Sequence, residues 1–378
     1  MFPKRRAGRP KVFGIISPYF FGSFKGGSEI QTRFLAQELL RRGWVVHFIR
    51  EDRGQKGRTQ VLDGIIVHSL PRRRAFMTWL NIIPLFRCMR RVKASVWYCR
   101  AARTYLFSVW LAARRLGGKV LWACSSEIYV SKDLGLKSSG GCLLLRGIQE
   151  FDKRLFLKAL RNIDFAVLQT QSQKTQLLRN WNIRGIVVRN GYPGLPSAGG
   201  PRIPALLWIG ALKKNKRPEK FLFLVKSLAG EDYRFFMIGR FRGDPETVRS
   251  VCEAEARYPG FRHLGEKEPG EIQALLGQAR LLVHTSDYEG FPNVFIEAWL
   301  MGVPVASLNV DPDGLIQSHH LGRLSRSMDQ LVKDVQELMG DELLWSECSR
   351  NAARFAREMF DIQKNTDTLL HLTGLDGS

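Results

Sequence analysis

Ser286-Asp-Tyr-Glu-Gly-Phe-Pro-Asn-Val-Phe-Ile-Glu-Ala-Trp-Leu-Met-Gly-Val-Pro-Val305 carries two glutamates, Glu289 and Glu297, on either side of a glycine-proline break. The apolar run Leu281 to His284 before it reads as a buried strand. Gly290 permits a turn, and Pro292 suits the first position of a helix, where its missing N–H leaves nothing unsatisfied. The spacing predicts a helix from Asn293 to Met301. Amides at such a helix start, at the positive end of the helix dipole, form a seat for a phosphate anion. Glu297, one turn further in, is placed to accept hydrogen bonds from a pair of ribose hydroxyls, and Glu289, on the loop, to face a sugar. The pattern reads as a nucleotide-sugar site.

This segment resembles the signature of retaining GT-B glycosyltransferases of family 4 (glycosyl transferases group 1), in which two glutamates separated by seven residues bracket a Gly-Phe/Leu-x-Asn turn. The resemblance implies an α/β protein of the GT-B fold, two Rossmann-like domains facing across a cleft. It also implies that Glu289 contacts the transferred sugar, Glu297 the ribose, and the segment Gly290, Phe291, Asn293 and Val294 the sugar and phosphate of the donor. A second carboxylate pair, Asp311-Pro-Asp313, has the form of the Asp-x-Asp metal clamp of the unrelated GT-A transferases. Pro312 and Gly314 supply turn chemistry there, and family 4 members often carry a similar Asp-Pro-Asp-Gly, so a turn is expected and no metal.

Four further stretches carry the resemblance. Strand Leu206-Leu-Trp-Ile-Gly210 is followed by a lysine six residues on, Lys216, ahead of Pro218. An ammonium fixed there stabilises a diphosphate leaving group more as it gains charge than in the ground state. The family usually has an arginine directly after the glycine; this chain has Ala211, with Lys213, Lys214 and Arg217 as candidate substitutes. Near the N-terminus, Gly26-Gly27-Ser28-Glu29 resembles the glycine-rich loop that lets the backbone approach donor phosphates. Finally, Trp122-Ala-Cys-Ser-Ser-Glu127 falls where the family has a His-Asp or His-Glu pair close to the sugar, with Ser126 in the histidine's place and Glu127 in the acid's. Arg189-Asn190-Gly191 resembles the structural turn before the family's linker.

At 378 residues the chain exceeds a single hydrophobic core and predicts two domains. Its net charge of +23 is unevenly spread. Residues 1–200 hold 36 of the 58 Lys and Arg but only 10 of the 35 Asp and Glu. Between Asp63 and Glu127 there is no acid, while Arg72, Arg73, Arg74, Arg87, Arg90, Arg91, Lys93, Arg100, Arg103, Arg114, Arg115 and Lys119 alternate with apolar groups. Those groups run from Phe76, Met77 and Trp79 through Ile83 and Phe86 to Phe107, Trp110 and Leu111. The mixture suits an interfacial helix on anionic lipid. Nucleic-acid binding is not expected, because no helix-turn-helix, RNP or zinc-finger spacing accompanies the charge. No run of about 18 apolar residues predicts a spanning helix. The six cysteines, Cys142 among them, show no paired or metal-ligand spacing, which fits a reducing compartment.

Apolar runs alternate with amphipathic segments throughout, as expected of parallel sheets flanked by helices. Strands are predicted at Val12–Ile16, Val45–Ile49, Val61–Leu70, Ser95–Cys99, Val120–Ala123 and Phe165–Leu168. A Gly/Pro/Ser-rich linker follows from Gly191 to Pro204, then strands at Ala205–Ile209, Phe235–Ile238, Phe261–Leu264, Leu281–His284 and Val303–Leu308. This divides the chain into an acceptor-binding domain of residues 1–195, joined by a last helix from about residue 357, and a donor-binding domain of residues 196–356. The reading is a metal-independent, retaining transferase whose co-substrate is a nucleoside diphosphate sugar. Its acceptor is a saccharide or lipid-linked saccharide in cell-surface polysaccharide synthesis, at the inner face of the cytoplasmic membrane. A sugar-nucleotide epimerase or hydrolase, or a non-catalytic membrane- or polyanion-binding protein on the same fold, are the alternatives.

Overall fold

The computed structural model describes residues 11–18, 20, 27–52, 58–72, 80–100, 104–134, 143–194, 201–242 and 245–375. Gly26, Arg73, Arg74, Phe76, Met77, Trp79, Arg103 and Cys142 lie outside them. The chain forms two compact units, residues 1–193 with 362–378, and residues 194–361.

The first unit runs β1 (Val12–Ile16), α1 (Gly27–Arg41), β2 (Val45–Asp52), β3 (Thr59–Leu62), β4 (Ile65–Pro71), α2 (Ile82–Val92), β5 (Val96–Cys99), α3 (Thr104–Leu116) and β6 (Lys119–Ala123). It continues with α4 (Leu143–Leu160), β7 (Phe165–Leu168), α5 (Gln171–Trp181) and β8 (Ile186–Val187), and is completed by α13 (Ile362–Thr373). The sheet order is β3-β4-β2-β1-β5-β6-β7-β8. All pairs are parallel except β3–β4. Short apolar runs suit such strands because both faces are covered. The expected single strand Val61–Leu70 is instead a hairpin. Asp63 and Gly64 adopt φ of 50° and 79°, the two left-handed residues that a tight hairpin turn requires.

The helix α13 is held to this unit by several bonds. Leu369 and Leu370 enter its core, Ile362 N donates to Tyr192 O at 3.1 Å, and Asn365 Nδ2 donates to Arg189 O at 3.1 Å. The basic, aromatic segment is resolved into core and surface. Leu85, Tyr105, Leu106, Val109 and Trp110 are buried in the domain core, which corrects the expectation that this apolar surface faces lipid. Only Ile83 among the described apolar residues of that stretch is strongly exposed, at 61%. Arg87, Arg90, Arg91, Arg114 and Arg115 do face solvent, whereas Arg100 is buried.

On strands β2 and β4, His47 Nδ1 lies 2.9 Å from His68 Nε2, with the rings stacked. Burial, then the charges of His47 and Arg91, lowers His68 from 6.5 to about 4. The unfolded chain therefore binds a proton that the native ring refuses, so stability is full above pH 6.5 and falls as pH drops toward 4. Screening at this half-buried site limits the loss to about 1–2 kcal/mol. His68→Gln should flatten that stretch of the stability–pH curve, read by denaturant unfolding at each pH; an unchanged slope would remove His68 as its source.

The second unit runs β9 (Ala205–Ile209), α6 (Pro218–Ser227), β10 (Arg234–Ile238), α7 (Pro245–Arg257), β11 (Phe261–His263), α8 (Pro269–Gln278) and β12 (Leu281–His284). It continues α9 (Asn293–Leu300), β13 (Val305–Ser307), α10 (Leu315–Ser318), β14 (Gly322–Leu324), α11 (Met328–Gly340) and α12 (Glu342–Met359). Its six strands are all parallel in the order β11-β10-β9-β12-β13-β14. The chain winds outward from β9 to one edge, then returns to β12 and winds to the other. The reversal of winding falls between β9 and β12, which pair at Leu206 with Leu281 and Leu207 with Leu282. In open sheets of this kind ligands bind outside the carboxyl ends of the strands at that reversal.

Candidate active site

Two loops leave the carboxyl ends of β9 and β12, and they are stitched together. Thr285 Oγ accepts from Trp208 Nε1 at 2.8 Å and donates to the Lys216 carbonyl at 2.8 Å. Asp287 N donates to Asn215 O at 3.1 Å, and the Asp287 carboxylate pairs with Arg217 Nε at 3.0 Å and Lys220 Nζ at 3.5 Å. A 3₁₀ turn at Lys214–Lys216, closed by Arg217 in the left-handed region at φ 55°, curls the first loop back over the strand end. These ties were not read from the sequence, although Asp287 stands inside its most informative stretch.

The result places Lys216 against Glu289. The Lys216 ammonium and the Glu289 carboxylate form an ion pair, and each side chain is about one-fifth exposed, 19% and 20%. The lysine stem lies over Gly210, where an added Cβ would stand 3.7 Å from Lys216 Cδ. The close approach of strand ends here depends on Gly239. Its φ is +142°, and a Cβ would fall 1.9 Å from the Gly210 carbonyl oxygen. Behind the ion pair, His284 is fully buried with neither ring nitrogen hydrogen-bonded, its ring edge-on to Phe295 at 4.8 Å. Burial first, and the Lys216 charge second, hold its pKa well below the usual histidine value, so it stays neutral and adds no competing cation.

Pro292 is the cap residue before α9, with φ −66° and ψ 117°, rather than its first helical residue, and the helix ends at Leu300 rather than Met301. The proline ring has no side-chain acceptor to offer, so Pro292 itself makes no cap bond to the start of α9. Asn293 and Val294 open that helix half-buried, and Glu297, also half-buried, lies one turn in. Phe291 points into the core, 8% exposed, with its ring 5.3 Å from Phe360, so it anchors the loop from beneath. Gly210, Lys216, Glu289 and the start of α9 are thus gathered at one end of one sheet.

Arg217, a candidate substitute for the missing arginine at Ala211, is occupied by Asp287 and Glu219, and Lys213 and Lys214 are exposed. Lys216 is left as the cation beside Glu289. The Asp311 carboxylate accepts from the amides of Ile316 at 2.8 Å and Gln317 at 3.3 Å, so it serves the start of α10. In the first unit, Gly27 opens α1 and is exposed. Ser126 caps a short 3₁₀ helix, its Oγ accepting from Ile128 N at 3.4 Å. Glu127 accepts from Gln176 Nε2 at 2.9 Å.

The fold has counterparts among solved structures. Residues 203–341 match the family model described as Glycosyl transferases group 1. Sucrose-phosphate synthase from Thermosynechococcus elongatus superposes with a TM-score of 0.73 at 17% identity, over 96% of this chain and 98% of that one. The chain has the GT-B fold. WaaG, a glycosyltransferase involved in lipopolysaccharide biosynthesis, gives 0.71 at 15% identity over 97% and 100% of the two chains. Anabaena HepE, solved with UDP and glucose, gives 0.66 at 13% identity over 96% and 99%. The expected α/β architecture of two parallel-sheet domains is therefore borne out for this GT-B protein, and the match to the group 1 model falls within its second unit.

Proposed function

We propose that this GT-B protein transfers a sugar, with retention, from a nucleoside diphosphate sugar to a saccharide or lipid-linked saccharide in cell-surface polysaccharide synthesis. The observation that carries the reading is the Lys216–Glu289 pair beside the start of α9, at the winding reversal of the sheet. Anabaena HepE, of the same fold, holds UDP and glucose, a ligand pair with the halves this site would need.

Before the donor binds, each charge of the pair neutralises the other. A diphosphate competes for the Lys216 ammonium and frees Glu289 to accept hydrogen bonds from sugar hydroxyls. The amides opening α9 face the phosphates, and Glu297 accepts from the ribose. The C1–O bond to phosphate then breaks while the acceptor oxygen bonds to C1 on the same face, and the acceptor proton passes to the departing phosphate oxygen. Lys216 stabilises the charge that accumulates there, so no metal is required.

Thermal shift against a panel of nucleoside diphosphates tests the donor assignment, since a ligand stabilises in proportion to the logarithm of its saturation. One member of the panel should raise the melting temperature, and Glu297→Gln should weaken its binding by about 1.5–3 kcal/mol, the worth of a hydrogen bond to a charged group. A panel without effect would refute a nucleotide donor, and unchanged affinity in the variant would free Glu297 of its role.

The membrane part of the reading now rests on the exposed arginines of α2 and α3 rather than on an apolar helix face. No helix among the described residues is long and apolar enough to cross a membrane. Arg87, Arg90, Arg91, Arg114 and Arg115, each worth about 1 kcal/mol at an anionic surface, would hold the protein peripherally at the inner face of the cytoplasmic membrane. Co-sedimentation should occur with vesicles containing phosphatidylglycerol, not with pure phosphatidylcholine, and be reversed by salt; equal binding to both vesicles would refute it.

A further inference from the structure

A small cavity opens at the carboxyl ends of β5, β6, β7 and β8 in the first unit and is walled on one side by α13. Arg100, the residue directly after β5, lines it at 7% exposure. Its guanidinium makes two long hydrogen bonds to neutral acceptors, Nη1 to the Tyr98 hydroxyl at 3.3 Å and Nη2 to Asn190 Oδ1 at 3.2 Å. Asn190 Oδ1 is shared, since Gln169 Nε2 also donates to it at 3.3 Å. Arg100 Nε has no partner. Neither do Gln31 Nε2, on α1, nor Thr366 Oγ1, on α13, and these two residues are 3% and 0% exposed on the same cavity.

Three buried polar groups without partners at one place are rare in native proteins, because each costs about 1–3 kcal/mol. Nor does any carboxylate among the described residues pair with Arg100; Glu29, on α1, acts on it only through space. Water could satisfy the hydrogen bonds, but it would leave the buried charge with no anion in direct contact. An oxyanion supplies both acceptors and charge. The cavity volume is about 30 Å³, enough for one small polar group to enter.

We propose that the Arg100 cavity is a subsite for an oxyanion group, a carboxylate or a phosphate monoester, carried by the acceptor. This rests on the transferase reading above, and it narrows the acceptor to an acidic or phosphorylated saccharide. Arg100 Nε, Gln31 Nε2 and the Thr366 hydroxyl donate to the group, and Asn190, bonded to Arg100 and Gln169, holds the guanidinium in place.

The test titrates the whole protein with inorganic phosphate and, separately, with acetate, at fixed ionic strength in chloride, and follows thermal stability. Because Lys216 also attracts phosphate, the Lys216→Ala variant is titrated alongside. A saturable stabilisation should persist in Lys216→Ala, and Arg100→Gln should need at least ten times more anion. Thr366→Val, which keeps the charge and removes one donor, should weaken binding several-fold and decides the matter if Arg100→Gln does not fold. The stronger of the two anions identifies the acceptor group as phosphate or carboxylate. Titrations that are identical in wild type, Arg100→Gln and Thr366→Val, or a response abolished by Lys216→Ala, would overturn the proposal. If phosphate binds at Arg100 while no nucleoside diphosphate binds at all, the subsite stands and the transferase reading alone falls.

Discussion

On the transferase reading, Lys216→Ala should lower the kcat of sugar transfer about 100- to 1,000-fold, the usual loss on deleting one preorganised donor to a developing negative charge. Binding of the free nucleoside, which lacks the diphosphate, stays as in wild type. The expectation follows from where the ammonium is held. Its stem lies along Gly210, its backbone carbonyl is fixed by Thr285, and its head meets Glu289. Little reorganisation is then needed when the leaving group gains charge, which is the condition under which such a cation lowers the barrier. Alanine also leaves the partly buried Glu289 carboxylate without its counterion, so the ground state is disturbed as well. Lys216→Arg separates the two effects. It restores the charge pairing but, with a longer planar head, displaces the cation from the diphosphate, and should recover stability more than turnover. Steady-state kinetics at saturating donor, with calorimetry of nucleoside binding, reads both; a kcat within threefold of wild type would exclude Lys216 from the chemical step.

The parts of this site that could be read from sequence are those set by local chemistry. The strand Leu281–His284, the Gly290–Pro292 break and the helix after it are specified by residues within a few positions of one another, and they stand in the structure nearly as written. Parallel α/β winding was legible for the same reason, as alternation of apolar runs and amphipathic segments. What was not legible depends on pairing across the chain. Strands β8 and β14, of two and three residues, owe their existence to neighbours β7 and β13, and carry too few side chains to show a period. The β3–β4 hairpin was signalled by Asp63-Gly64, but the apolar residues on both sides hid it inside one run. Arg100 shows the limit most clearly. In sequence it is one more cation in a basic stretch, and only the fold, by bringing α1 and α13 to the end of β5, makes it a buried charge.

Trp299→Ala should destabilise the second unit by about 3–5 kcal/mol, the range for removing a large buried aromatic side chain. Trp299 is fully buried on α9, and its ring packs edge-on to Phe355 at 6.1 Å and beside Phe295 at 5.5 Å and Phe360 at 6.3 Å. Phe291, from the loop that carries Glu289, closes the same cluster at 6.5 Å from Trp299. The indole therefore does two things at once: it fixes α9 on α12, and it sets the height of the Glu289 loop above the sheet. Truncation leaves a cavity beneath both, and the aromatic neighbours, held by α12, can collapse into it only in part. The loss should appear as a lower denaturant midpoint for the second unit, with nucleoside diphosphate affinity reduced at temperatures well below unfolding, because the start of α9 is no longer held in register with Lys216. Trp299→Phe keeps most of the ring contact, and the indole Nε1 it removes has no hydrogen-bond partner, so it should cost less than about 1.5 kcal/mol. Equal destabilisation by the two substitutions would mean that the indole's full volume, and not the aromatic cluster it joins, is what supports the helix.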